Sequence, residues 1–375
     1  MGMAAGSGIF RGGEDARSEV PVVQLGLGSI GQSIVRHLLR LGGVRLVGAV
    51  DPAPEVAGRD LGELVGEGPL GVTVAPNFDP KRHGKAAVAL HAATSFAAPA
   101  VEQLLGVVEA GIHVISTCEQ LSWPWYHHPT HAHRLDRAAR SAGVTVLATG
   151  VNPGFVMDLL PLVLSGVCTK VERVYVRRVV DVSRRRGALQ RKVGCGLSPE
   201  AFKELAGRGR LGHVGLPESA ALVASGLGWR IDSIEERIEP VLAATDLRTE
   251  HVSVAAGQVQ GVHQVAVVRT GGAERIRLDL GMALRPSDVP FPPEAEGRGV
   301  PRGAVDFVCI DGEPGLQAVV PGGVFGDTAT VAAVVNAIPR VLEAPAGLLS
   351  VKDLPAVAHW TGLPAGLQRE DMAPQ

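Results

Sequence analysis

Aromatic side chains are scarce in this chain: 8 Phe, 4 Trp and 2 Tyr among 375 residues. Cysteine is scarcer than that sum, and Cys118, Cys168, Cys195 and Cys309 show no paired spacing. Such spacing excludes a disulfide framework or a cysteine zinc site. With no secretory apolar segment near the start, the expectation is a reduced, cytoplasmic protein. Neither sign of charge is in excess, since 36 Lys and Arg against 38 Asp and Glu give a formal net charge of −2. That balance makes no electrostatic case for nucleic acid or an anionic membrane as partner. The local basic cluster of Arg177, Arg178, Arg184, Arg185, Arg186, Arg191 and Lys192 reads as a solvated loop face. No apolar run approaches the roughly 20 residues that a membrane helix needs.

What is present describes a globular chain, 46% hydrophobic and 20% charged. Its length exceeds one ordinary core and suits two domains sharing an interface. The expected organisation is a disordered, Gly-rich leader over residues 1–19, then a dinucleotide-binding domain over 20–152. An α+β substrate and dimerisation domain follows over 153–326. A helix over 327–345 returns to the first domain, and residues 346–375 form a C-terminal extension. The fold class is α/β: a Rossmann-type, doubly wound parallel sheet plus the α+β domain.

The front half carries the stronger signal. VPVVQLGLGSIG, residues 20–31, is an apolar run leading into Gly26-x-Gly28-x-x-Gly31. Ile34, Val35, Leu38, Leu39 and Leu41 then mark one helical face, and Gly42-Gly43 stops it. The next apolar run, Val44 to Val50, ends in Asp51. Strand, glycine turn, helix, strand and acid in this order form a dinucleotide fingerprint. Gly26 permits the tight turn, Gly28 lets a pyrophosphate approach the backbone, and Gly31 lets helix and strand pack closely. Leu27, Ser29 and Ile30 complete the loop, whose helix N-terminus offers free N–H groups. Asp51 suits the adenosine ribose hydroxyls, favouring NAD(H), while Arg59 downstream leaves NADP(H) open.

Further alternation yields strands ending at Thr94-Ser95, at Thr117-Cys118-Glu119 and at Asn152, with helices over 97–110 and 133–142. Ligands of an open parallel sheet sit beyond the carboxyl ends of its strands. Thr94, Ser95, Thr117, Cys118, Glu119 and Asn152 are therefore expected around the nicotinamide. Beyond residue 153 strands recur without helical crossovers, at 172–183, 261–270, 274–283 and 303–310, which suggests a mostly antiparallel sheet. Short helices are expected over 199–206 and 217–226.

The stretch STCEQLSWPW, residues 116–125, places Glu119 at a strand mouth beside Trp123 and Trp125. Apolar walls raise a carboxyl pKa toward neutrality, which suits a group that exchanges protons near operating pH. Otherwise Glu119 is a surface residue or a cap partner. A carboxylate also suits amines better than alcohols, because it attracts ammonium and stabilises an iminium cation. Trp123, Phe155 and Trp229 are candidate walls of an apolar substrate pocket, or core filler. His213 either reaches that pocket or caps the next helix. His127, His128, His131 and His133 look metal-like, but Pro129 interrupts them and no carboxylate or cysteine completes a set, so no metal is expected.

STCEQLSWPW, GVNPGFVMDLLP (150–161), GHVGLPESAALVASGLGWRIDSIEERIEP (212–240) and GDTATVAAVVNAIP (326–339) together resemble the 2,4-diaminopentanoate dehydrogenase family and its amine dehydrogenase relatives. The resemblance spans about residues 20–345 and implies reversible, NAD(P)H-dependent reductive amination of a ketone or aldehyde with ammonia, in a homodimer. It matches Glu119 to the family's catalytic glutamate and Thr328 to a substrate-lining position, and it makes Asn152 and Asn336 nicotinamide neighbours. Gln120 stands where the family pattern has a second glutamate, and Trp123 where tyrosine is common. The lysine of a dihydrodipicolinate reductase His-His-x-x-Lys pattern is missing after His127-His128. Competing readings are 2,4-diaminopentanoate dehydrogenase proper, a homoserine-dehydrogenase-like oxidoreductase acting on a hydroxyl or semialdehyde, and a non-catalytic NAD(H)-sensing protein.

Overall fold

The structure, a computed structural model, describes residues 19–362. The expected leader, apart from Glu19, and the last part of the C-terminal extension lie outside the described residues. The first half alternates strands and helices: β1 (Val20–Leu25), α1 (Ser29–Arg40), β2 (Val44–Val50), α2 (Leu61–Val65), β3 (Val74–Ala75), α3 (Pro80–His83), β4 (Val88–His91), α4 (Ala97–Glu109), β5 (His113–Ser116), α5 (Pro129–Ala142) and β6 (Thr145–Ala148). All pairings in this sheet are parallel. The order runs β6-β5-β4-β1-β2-β3, so the sheet is of the Rossmann type. The direction of winding reverses between β1 and β4, and the crevice at their carboxyl ends is where such sheets bind ligands. Helix α5 starts at Pro129, four residues before the expected His133. Proline fits a first turn, where its missing N–H costs nothing.

The second half contributes α6 (Leu159–Ser165), β7 (Lys170–Asp181), α7 (Gly187–Lys192), α8 (Pro199–Gly207), α9 (Leu216–Gly226) and β8 (Ser233–Leu242). A small hairpin, β9 (Leu247–Arg248) and β10 (Ser253–Val254), precedes β11 (Val259–Thr270), β12 (Ala273–Ala283), β13 (Val305–Glu313) and β14 (Leu316–Pro321). These form a six-stranded sheet ordered β14-β13-β7-β12-β11-β8, antiparallel except between β7 and β12. One face buries Val174, Val176, Leu278 and Val262 against Phe202 of α8 and Ala220 and Val223 of α9. Each fully buried aliphatic side chain of this kind contributes roughly 1.5–3 kcal/mol.

Two further helices, α10 (Gly326–Asn336) and α11 (Ile338–Glu343), return to the first sheet, broken where a single helix is expected. Val331, Val334, Val335, Ile338 and Val341 pack with Ile34 and Leu38 of α1. The chain then adds β15 (Gly347–Leu349) beside β6, a seventh parallel strand built from the start of the C-terminal extension. No helix among the described residues is long and apolar enough to cross a membrane.

Candidate functional site

Gly26 has φ +82°, and a Cβ there would lie 2.7 Å from the Ala92 carbonyl. A Cβ on Gly31 would fall 2.0 Å from the Gly26 oxygen, so both positions require glycine for packing. Gly28 differs, because a Cβ there meets nothing within 4 Å. It begins α1 without a side-chain cap, leaving the first-turn amides open to an anionic ligand. Asp51 follows β2 directly and its Oδ2 accepts from Leu27 N at 2.6 Å, which fixes the carboxylate over the loop. The Leu27 side chain is fully buried with Val35 and Leu61 in the core beneath the loop. Ser29 is exposed at the helix start. Beside this loop is a cavity of about 380 Å³ lined by Gly26, Pro52, Asn77, Phe78, His91 and Gln103. The His91 ring bridges Ser116 Oγ at 2.7 Å and Gln103 Oε1 at 2.9 Å. An open glycine loop, a fixed carboxylate and an adjoining partly apolar cavity fit the adenosine half of a dinucleotide.

A second cavity, of about 180 Å³, brings Ile30, Thr117, Glu119, Asn152 and His213 together between the two domains. Its apolar surface comes from Val151, Pro153, Leu189, Leu280 and Met282. Burial raises the Glu119 carboxyl pKa above its ordinary value, while its own amide, Lys192 and a hydrogen bond with Ser95 act in the opposite direction. The rings expected to desolvate Glu119 are elsewhere. After β5 the chain makes a helical turn over Glu119–Leu121, with Ser122 Oγ bonded to the Glu119 carbonyl at 2.7 Å. Trp123 leaves that turn to pack with the α10–α11 core under Lys352, whose Nζ is 5.0 Å from the ring centroid. Trp125 packs on the opposite core, its edge against His133. Trp229 packs against the second-domain core. Phe155 lines a separate cavity with Leu159, Val324 and Asn336.

Thr328 is exposed, and its α10 neighbours Asp327 and Thr330 line the cavity of Glu119, one helical face away. Asn336, at the far end of α10, accepts from Trp360 N at 3.0 Å and lies outside that cavity. Cys118 is buried behind the site, its thiol pushed up to about 12 by burial and by Glu119 and Glu218. Thr94 accepts from Phe96 N in the turn into α4. Ser95 and Gln120 join that turn to the glutamate, since Gln120 N donates to Ser95 O and Gln120 Oε1 accepts from Ala97 N. His213 Nε2 is 3.1 Å from the Asn152 carbonyl, so Nε2 carries the proton and Nδ1 is left as an acceptor. Burial first, then Lys192 and Arg178, pull His213 down to about 3, so its ring is neutral. Asn152 Oδ1 is buried without a hydrogen-bond partner.

The basic cluster is not one solvated face. Arg177 and Arg178 alternate across β7 and are both buried, Arg177 on Asp279 at 2.8 Å and Arg178 on Asp306 at 2.5 Å. Arg178 also donates to the Val324 carbonyl at 2.8 Å, and Arg185 pairs with Asp327 at 2.6 Å. Arg178, Arg185, Arg186 and Lys192 all reach the cavity of Glu119. Sequence reasoning missed Arg186, Lys192, Asp327, Thr330 and Gly215 as site residues. For Arg178 a signal was available, because two arginines inside an apolar strand need buried partners.

Residues 155–368 match the model of the 2,4-diaminopentanoate dehydrogenase C-terminal domain. The chain is 32% identical over 343 residues to the 2,4-diaminopentanoate dehydrogenase of Acetoanaerobium sticklandii, covering 90% of this chain and 94% of that protein. It is 25% identical over 357 residues to an amine dehydrogenase of Streptomyces virginiae, covering 90% and 96%. The solved amine dehydrogenase of Mycobacterium smegmatis superposes with a TM-score of 0.76 at 26% identity, covering 92% of this chain and 98% of that one. The chain belongs to the 2,4-diaminopentanoate dehydrogenase family.

Proposed function

We propose that Glu119 moves the protons in the reaction of this NAD(P)-dependent amine dehydrogenase, with ammonia as the nitrogen donor. The observation that carries the reading is a half-dry carboxyl of raised pKa on a cavity bounded by the strand ends that follow β5 and β6. Ionised, Glu119 accepts a proton from ammonium and frees ammonia, which adds to the substrate carbonyl to give a hemiaminal. The protonated carboxyl then returns its proton to the departing hydroxyl, releasing water and leaving an iminium cation opposite the restored carboxylate. A nicotinamide cofactor held there would supply the hydride that reduces this carbon, and the amine gains its last proton from water. Gly26, Gly28, Gly31 and Asp51 would hold the cofactor, and Asp51 would favour NAD(H) because a 2′-phosphate would meet its carboxylate. Ile30, Thr117 and Asn152 border the reacting space.

Of the four cations on this cavity, Arg178 and Arg185 are held by Asp306 and Asp327. Arg186 and Lys192 have no ion-pair partner within bonding distance among the described residues. That wall suits a carbonyl substrate that also bears a carboxylate. A homodimer in the cytoplasm completes the reading. Alternating Glu235, Arg237 and Glu239 on β8 give the second sheet a face of mixed sign, as an isologous contact needs. All four cysteines are free thiols, as in a reducing compartment. The test is NADH consumption across ketones, aldehydes and oxo acids, each with and without ammonium. Consumption with carbonyl alone would make the enzyme an alcohol or semialdehyde oxidoreductase.

A further inference from the structure

Next to the catalytic cavity, and sharing Lys192 and His213 with it, lies a larger one of about 790 Å³. Its wall includes Ser95 and Gln120, the residues that flank Glu119, together with His127, His128 and Glu218. Glu218 stands in the first turn of α9, three residues after Gly215, whose backbone abuts Glu119. Its side chain is only 5% exposed, yet its ion-pair partners are two imidazoles, His127 Nδ1 at 3.4 Å and His128 Nε2 at 3.8 Å. Both separations exceed an ordinary charge-assisted hydrogen bond of about 2.7–2.9 Å. Burial is the largest influence on His128 and lowers its pKa, so that ring is uncharged at neutral pH. A carboxylate taken out of water is costly unless a cation, from the protein or from a ligand, stands close to it. The remaining charged groups on the cavity are Glu236, bonded to Gln264 at 2.7 Å, and the exposed cations Arg210 and Lys192.

We infer that this side cavity is the antechamber through which ammonium reaches Glu119, with Glu218 as its cation anchor. The inference rests on the reading of Glu119 as the ammonium-deprotonating group. A small tetrahedral cation with four N–H donors fits what the wall offers: the Glu218 carboxylate and the acceptor nitrogens of the neutral His128 and His213 rings. Holding ammonium there raises its local concentration beside the group that deprotonates it and keeps the cavity of Glu119 itself for the organic substrate. Glu218 is thus a binding residue for one co-substrate and takes no part in bond making.

The experiment is steady-state amination by Glu218→Gln in the full chain, with NADH and carbonyl saturating and ammonium varied at constant ionic strength. The expected result is an apparent KM for ammonium raised on the order of tenfold, the loss of one charged contact. The carbonyl KM and the turnover at saturating ammonium stay close to the wild type. An unchanged ammonium KM overturns the inference, and so does a raised carbonyl KM, which would give Glu218 to the organic substrate. Should the variant fail to fold, the wild-type enzyme decides with potassium, a cation close to ammonium in size, replacing sodium as the inert salt. Competition by potassium against ammonium alone supports the antechamber, and equal behaviour in both salts removes it. A wild-type enzyme that consumes NADH without ammonium would instead end the reading of Glu119, a distinct outcome.

Discussion

Gly215→Ala offers a sharp probe of the site's geometry. Gly215 precedes α9 with φ +96°, and a methyl group there would lie 2.8 Å from Glu119 Cβ and 2.7 Å from Pro153 Cγ. Carbon atoms prefer about 3.5–4.0 Å, so relief requires a shift of about 1 Å. Pro153 is held by the turn after β6, where Gly154 N donates to Asp158 at 2.8 Å. The displacement therefore falls on Glu119 or on α9. A misplacement of about 1 Å in a reacting geometry costs on the order of 10²-fold in rate. The left-handed backbone adds roughly 1–2 kcal/mol of instability. The assay is NADH oxidation with carbonyl and ammonium, beside NADH titration by fluorescence and a thermal melt. The expected variant is folded, melts a little lower, binds NADH normally and turns over about 10²-fold more slowly. A folded variant with wild-type turnover would refute either the contact at the start of α9 or the role proposed for Glu119.

Other perturbations follow from the same geometry. Asp51→Ser removes the carboxylate proposed to bind the ribose, so the ratio of NADH to NADPH affinity should fall on the order of tenfold, read by titrating both. Asp306→Asn leaves Arg178 buried without its counter-ion and should cost about 3–5 kcal/mol, seen as a lower urea midpoint. Glu119 pays for its position through ionisation: its folded pKa is raised, so its charged form disfavours folding. That penalty is absent below the ordinary glutamate range and grows as pH rises through and above it. Glu119→Gln should therefore melt above the wild type at pH 8, and the difference should vanish near pH 4. A variant less stable than the wild type at pH 8 would contradict a desolvated carboxylate.

The dinucleotide half was legible because its signals are local. Glycine spacing, a helical stripe and an acid at the next strand end lie within about thirty residues and share one fold element. Glu119 was legible for the same reason, as the first charged residue beyond an apolar strand. Its surroundings were not. Trp123 and Trp125 adjoin Glu119 in sequence, but the helical turn over Glu119–Leu121 sends the two rings into opposite cores. The dryness comes from residues far along the chain, such as Leu189, Leu280 and Met282, which only the fold of the second half brings near. Arg178 needed Asp306, 128 positions away on the neighbouring strand, before it could be recognised as buried. The Thr328 expectation missed by one helical face, because motif resemblance fixes a segment and not which side of α10 meets the cavity.

The measurement that reaches the central claim most directly is Glu119→Gln, assayed for NADH binding and for ammonium-dependent turnover on one preparation. The account predicts normal NADH affinity with turnover reduced on the order of 10²-fold or more, the usual worth of a positioned acid–base group. Turnover equal to the wild type, with ammonium still required, would show that another group moves the protons.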